Sequence, residues 1–232
     1  MTEKVINGQK YKLPGSLTPF QEEMYVQLIN WKWRNICRDV GYYNYMGNRI
    51  EYDAILPHTC HKDYPLIYPT ILKDLHQHRE EYTFKFHQHF NHMASSQAAN
   101  VNLFLPILLH PQANDIMKLL KNDFKSLATN KLYKGFRIEY WDGTEDVERG
   151  LLKDHSSLSG TDSDIGVAYY NTRNELCLWL IEHKLTEKEF TECGGFKSKD
   201  RDKANHLCEK NFSEILVNKN YCFHHSFKGR EY

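Results

Sequence analysis

Changes in the period of apolar positions along the chain mark its elements. Thr18-Pro19-Phe20-Gln21 reads as a helix start, with Thr as cap, Pro at the first helical position and Gln at the third. Met24, Leu28, Trp31 and Ile36 follow near helical spacing and predict a helix to about Cys37. Positions 41–53, rich in Tyr, Gly and Asn, predict turns with a short strand. Ala54-Ile55-Leu56-Pro57 leads into a Pro- and His-rich loop through Pro69. From Tyr82 to Phe90, aromatic residues (Tyr82, Phe84, Phe86) alternate with polar ones, which is the period of a strand. Ser95 caps a predicted helix carrying Val101, Phe104 and Leu105, which Pro106 is expected to kink or end. Asn114 to Ala128, with Ile116, Leu119, Leu120, Phe124 and Leu127, predicts a second amphipathic helix.

Phe136-Arg137-Ile138-Glu139-Tyr140-Trp141 predicts a strand. A polar loop, Arg149 to Gly160, precedes two further strands joined at Asn171-Thr172-Arg173-Asn174. Gly194 to Asn205 reads as a loop of mixed charge and His206 to Val217 as a helix. This order predicts an α/β core with helices flanking a mixed central sheet. Residues 1–80 are expected to form an N-terminal helical and loop extension packed on a core of residues 81–232. No clear closing element follows the aromatic and His-rich run before Tyr232, so a C-terminally truncated chain is one reading.

Composition narrows the picture only a little. A hydrophobic content of 41% over 232 residues supports a buried core. Lys+Arg and Asp+Glu are both 30, giving a formal net charge of zero. That balance argues mildly against a protein that coats DNA non-specifically, yet a basic groove and an acidic site can average to it. The six cysteines show no tight pairing, and Met1 to Lys10 holds no apolar signal core, so the expected home is reducing and cytoplasmic. Val101 to Leu109, the longest nearly apolar run, is too short to span a membrane.

The chemistry concentrates at the last strand pair. Asp164 opens one apolar run, and Glu182-His183-Lys184 closes the next. A hairpin over this spacing sets Asp164 beside Glu182, and Glu182 and Lys184 share a strand face. Two carboxylates with waters suit Mg²⁺, and a lysine beside them can orient or activate water for attack on a phosphodiester.

These residues resemble the PD-(D/E)XK nuclease superfamily, the restriction-endonuclease-like fold. Asp164 opening one strand and Glu182-His183-Lys184 ending the next carry the likeness. Ser95-Ser96-Gln97-Ala98 through Asn102-Leu103-Phe104 and Tyr52-Asp53-Ala54-Ile55-Leu56-Pro57 resemble segments of restriction-type prokaryotic nucleases in it, so the likeness spans about residues 18 to 225. The resemblance implies Mg²⁺-dependent cutting of DNA, with Mn²⁺ as a substitute. Asp164 and Glu182 would bind metal, helped by the His183 carbonyl, and Lys184 would position water and stabilise developing charge. Asp162 is the alternative to Asp164. Glu139 is the candidate further acid, with Glu81 and Glu148 behind it.

Other clusters carry weaker expectations. Cys193, Cys208 and Cys222 could hold Zn²⁺ or an iron–sulfur cluster, as in some relatives, but lack the tight Cys-x₂₋₄-Cys knuckle. His58 and His61 around Cys60, and His87, His89 and His92, read mainly as surface or packing residues. Lys197, Lys199, Arg201 and Lys203 could touch DNA phosphates, and Trp31, Trp33, Trp141 and Trp179 read as core. Three functions compete. The first is a metal-dependent DNA endonuclease of restriction or defence type. The others are a non-catalytic nucleic-acid-binding or assembly module with the same fold, and a metal-binding protein built on the late cysteines. A double-strand cutter with one site per chain is often a homodimer, although no segment marks an interface.

Overall fold

Local signals set the first elements. In the computed structural model, residues 2–82, 84–140 and 163–186 are described, and they belong to one compact unit. Strands β1 (Thr2–Ile6) and β2 (Gln9–Leu13) pair antiparallel, with Thr2 opposite Leu13. Asn7 and Gly8 both adopt left-handed conformations (φ 49° and 77°), the tight turn that Asn-Gly favours between strands. Helix α1 (Pro19–Asn35) begins with a capping box: Thr18 Oγ1 accepts from the Gln21 N–H, and Gln21 Oε1 accepts from the Thr18 N–H at 3.0 Å. Strands β3 (Gly41–Tyr45) and β4 (Asn48–Tyr52) form a second hairpin in the region expected to hold turns and one short strand.

Tyr11, Leu13, Ile29, Tyr52, Ala54, Ile55, Leu56 and Met93 make a buried cluster under these elements. Lys32 of α1 is fully buried within this part of the chain. Its ammonium donates to the carbonyls of Asp39 (2.6 Å), Asp53 (2.7 Å) and Ile55 (3.0 Å). All three N–H donors are thereby used, which offsets the cost of taking a charge out of water. Burial still pushes the Lys32 pKa down, against the opposing pull of Cys37 and Asp53.

After the short α2 (His58–His61), a 3₁₀ turn at Pro69–Ile71 leads into α3 (Leu72–Glu81), which the polar sequence hides. The strand expected at Tyr82–Phe90 does not form. Phe84 and Phe90 are buried there and Phe86 packs on them, so their apolar contacts come from an irregular loop rather than a pleated face. Helix α4 (Ser96–Leu109) carries Pro106 inside it and continues for another turn. Ser95 Oγ accepts from the Ala98 N–H at 3.2 Å, as the cap signal predicts. The long helix expected over 114–128 divides. Helix α5 (Ala113–Leu120) stops as Lys121 turns extended, and Phe124–Leu127 becomes strand β5. Phe124 and Leu127 had continued the helical spacing, but Asn122-Asp123 supplies a turn between the two elements.

Strand β7 (Ser163–Asn171) is the axis of the main sheet. It pairs with β8 (Leu176–Ile181) along one edge. Along the other edge it pairs with β6 (Phe136–Tyr140) and β5. Every pairing described is antiparallel. Ile165, Val167 and Tyr169 face the principal core with Phe136 and Ile138 and the α4 residues Val101, Phe104, Leu105 and Leu108. Asp164, Gly166 and Ala168 alternate onto the other face. The architecture is α/β, as the order of elements predicted.

Candidate active site

The β7–β8 hairpin sets the geometry of the site. Asn171 Oδ1 accepts from the N–H groups of Arg173 and Glu175, both at 2.9 Å, which locks the turn between the strands. The register pairs Ile165 with Ile181, and one residue further sets Asp164 opposite Glu182. At this end of the pair, Ser163 Oγ donates to the Ile181 carbonyl at 2.9 Å, and the His183 N–H donates to Asp164 Oδ2 at 2.6 Å. Lys184 Nζ donates to Glu182 Oε1 at 2.6 Å. Asp164, Glu182 and Lys184 therefore gather where the two strands end. Gln21 of the α1 capping box reaches the same segment and donates to the Thr186 carbonyl at 3.0 Å.

The electrostatics follow from this crowding. Burial raises the Asp164 pKa above the usual carboxylate value. The His183 N–H pulls it down, and the Glu182 charge pushes it up again. Asp164 is half-buried, whereas Glu182 and Lys184 are exposed to solvent. Two carboxylates in a partly desolvated corner favour a cation between them, and Lys184 supplies one positive charge.

Glu139 stands in register with Asp164 on the opposite edge of β7, between the pairs Ile138↔Ile165 and Tyr140↔Ser163. Its backbone is left-handed (φ 51°), and Oε1 accepts from Gln97 Nε2 at 2.8 Å. Gln97, on α4, is buried. Its side chain also donates to the Lys85 carbonyl and accepts from the His87 N–H. The sequence offered Gln97 as part of a helix start, in a segment resembling restriction-type nucleases, and gave it no role of its own. Gln97 shares a largely apolar helix with two other carboxamides, Asn100 and Asn102, so no local pattern singled it out. Glu81, one of the two other acids considered, pairs with Gln77 on the exposed end of α3. Asp162, Glu148, Cys193, Cys208, Cys222, Lys197, Lys199, Arg201 and Lys203 lie outside the described residues.

Among the described residues no group of three or more His, Cys, Asp or Glu side chains is arranged to hold a metal. The donor set at the strand ends is two carboxylates, Asp164 and Glu182. Mg²⁺ keeps several waters and needs only one or two carboxylates, so this set fits it. His92 and His61 are engaged elsewhere. His92 is buried, bonds Tyr52 at 2.8 Å and accepts from the Ala94 N–H, and burial takes its pKa down to about 3. His61 bonds the Leu56 carbonyl at 3.0 Å.

Comparison with known families assigns the chain. The family model of restriction endonucleases associating with ARP (REase-ARP) matches residues 57–227, well over half of the chain. The chain belongs to the REase-ARP family. Membership makes it a restriction-endonuclease-like nuclease, and the family implies DNA as substrate. The REase-ARP match includes the whole of β7 and β8 and begins after the two N-terminal hairpins and α1. No curated protein and no solved structure matches the chain.

Proposed function

We propose that the protein is a Mg²⁺-dependent DNA endonuclease of the PD-(D/E)XK type, hydrolysing phosphodiester bonds at the end of the β7–β8 hairpin. The observation that carries this reading is the register that sets Asp164 against Glu182 with Lys184 bound to the Glu182 carboxylate, in a chain of a restriction-endonuclease family. Asp164 and Glu182 would hold the ion, with the His183 carbonyl beside them. When bound, Mg²⁺ supplies charge at the scissile phosphate and acidifies water.

The remaining work falls to the chain. The His183 N–H fixes the Asp164 carboxylate in orientation. Lys184 lies on Glu182 and, on transfer to the phosphate, stabilises the charge that develops as water attacks. Water attacks directly and no covalent intermediate forms. Gln97 steadies Glu139 across the sheet, where it can act as a further acid.

Mn²⁺ binding followed by electron paramagnetic resonance tests the metal site apart from turnover. Wild-type protein should bind the ion, and Asp164→Asn and Glu182→Gln should each weaken binding about tenfold or more. Undiminished binding in both variants would remove these carboxylates from the site.

A further inference from the structure

The part of the chain that precedes the family match forms a cleft of its own. A cleft of about 680 Å³ lies between β2 and α1, within the size range of small-ligand sites. Gln27, Trp31 and Arg34 line it from α1. Their helical spacing puts them on one face, away from the buried Ile29 and Lys32. Trp31 was expected in the core but is 44% exposed. Tyr11 of β2 stacks on Trp33 with ring centroids 5.2 Å apart, and its hydroxyl donates to Asn30 Oδ1 at 3.0 Å. These contacts fix the wall of the cleft.

Three features of the lining point to its ligand. The Trp31 indole, on the α1 face that lines the cleft, presents a flat aromatic surface to solvent. The Arg38 guanidinium lies over the Trp33 ring, 5.5 Å from its centre, and Arg34 lines the same cleft. The described lining residues include no carboxylate. The cleft therefore offers a flat aromatic wall, carboxamides and two positive charges.

We propose that this cleft binds a nucleobase together with its phosphate. The exposed Trp31 ring stacks on the base, the Gln27 and Asn30 carboxamides meet its edge, and Arg34 and Arg38 take the phosphate. An acidic peptide would use the guanidinium groups but leave the flat wall idle. The base comes either from an unpaired stretch of DNA or from a free nucleotide. The first source rests on the DNA-cutting reading above; the chemistry of the cleft does not.

Tryptophan fluorescence of the full chain in EDTA, where no cutting occurs, tests the proposal. The probes are a single-stranded oligonucleotide, an abasic oligonucleotide of equal length and thymidine 5′-monophosphate. The base-bearing strand should quench fluorescence and bind about tenfold more tightly than the abasic strand. Trp31→Ala should remove that preference, and Arg38→Gln should weaken binding of both strands. Quenching by the mononucleotide as well makes a free nucleotide a sufficient ligand; quenching by the strand alone assigns the cleft to DNA. Equal affinity for the two strands, or an unchanged preference in a folded Trp31→Ala variant, overturns the proposal. A chain that discriminates bases but does not cut DNA defeats only the nuclease reading. A chain that cuts but does not discriminate defeats only the cleft.

Discussion

Asp164 and Lys32 are both charged groups withdrawn from water, and their partners give them opposite consequences. Lys32 has three carbonyl acceptors and holds α1 to the chain that leaves β4. Lys32→Met removes the donors and strands the carbonyls, and should cost about 3 kcal/mol in urea denaturation. Asp164 has one strong donor, the His183 N–H, and a neighbouring carboxylate that disfavours its charge. Its raised pKa means that the folded state holds the proton more tightly than the unfolded chain. Stability from this group therefore falls as the pH rises above the ordinary carboxylate value. Asp164→Asn keeps an acceptor for the His183 N–H without the charge, so its Tm at pH 7 should equal or exceed that of the wild type. A clear drop in Tm would show that the ionised carboxylate is structural. The cost of keeping Asp164 ionised is intelligible if the charge serves a cation.

At the scale of elements, the β7–β8 hairpin was legible because two apolar runs flank a turn rich in Asn, and α1 because its capping box is local. Strand β1 was not, since four of its five residues are exposed and its pattern is polar; only Asn7-Gly8 announces the hairpin. Helix α3 offers few apolar positions, and Leu75 and His78 alone are buried on it. Its formation rests on tertiary packing that no local pattern displays. The 82–90 segment failed in the other sense, because alternation of aromatics does not require a partner strand. Pairing of β7 with β6 depends on a close approach: a Cβ at Gly166 would lie 2.7 Å from Cγ of Tyr140. Gly166→Ala must push that ring away and should destabilise by about 1–3 kcal/mol, read from thermal or urea unfolding. An unperturbed variant would mean that the β6–β7 contact yields freely.

For the whole molecule, pH is a second probe of packing. Burial takes the His78 pKa down to about 4, with Arg137 adding to the effect, and that of His92 to about 3. The unfolded chain binds protons at both positions near pH 6.5, before the folded state does. Their contribution to stability is complete above that pH and is lost as the pH falls toward the folded values. Denaturation at pH 6.5 and 5.5 should show a loss of about 1 kcal/mol for each histidine, and His78→Gln should reduce it. A flat profile would mean that neither ring is held neutral by burial. The family match and the strand-end carboxylates belong to the later part of the chain, and the aromatic cleft to the part before residue 57. The sequence displayed Asp164, Glu182 and Lys184 through spacing alone. It could not display Gln97, whose tie to Glu139 joins residues 42 apart, or the cleft, which needs β2 laid against α1.

Cleavage of plasmid DNA by wild-type protein and by Asp164→Asn, in Mg²⁺ and in EDTA, tests the central claim most directly. The wild type should cut with Mg²⁺ and not with EDTA. The variant should fold with an undiminished Tm and cut at least about a hundredfold more slowly. Cutting at the wild-type rate by a folded Asp164→Asn variant, or cutting that persists in EDTA, would contradict the account.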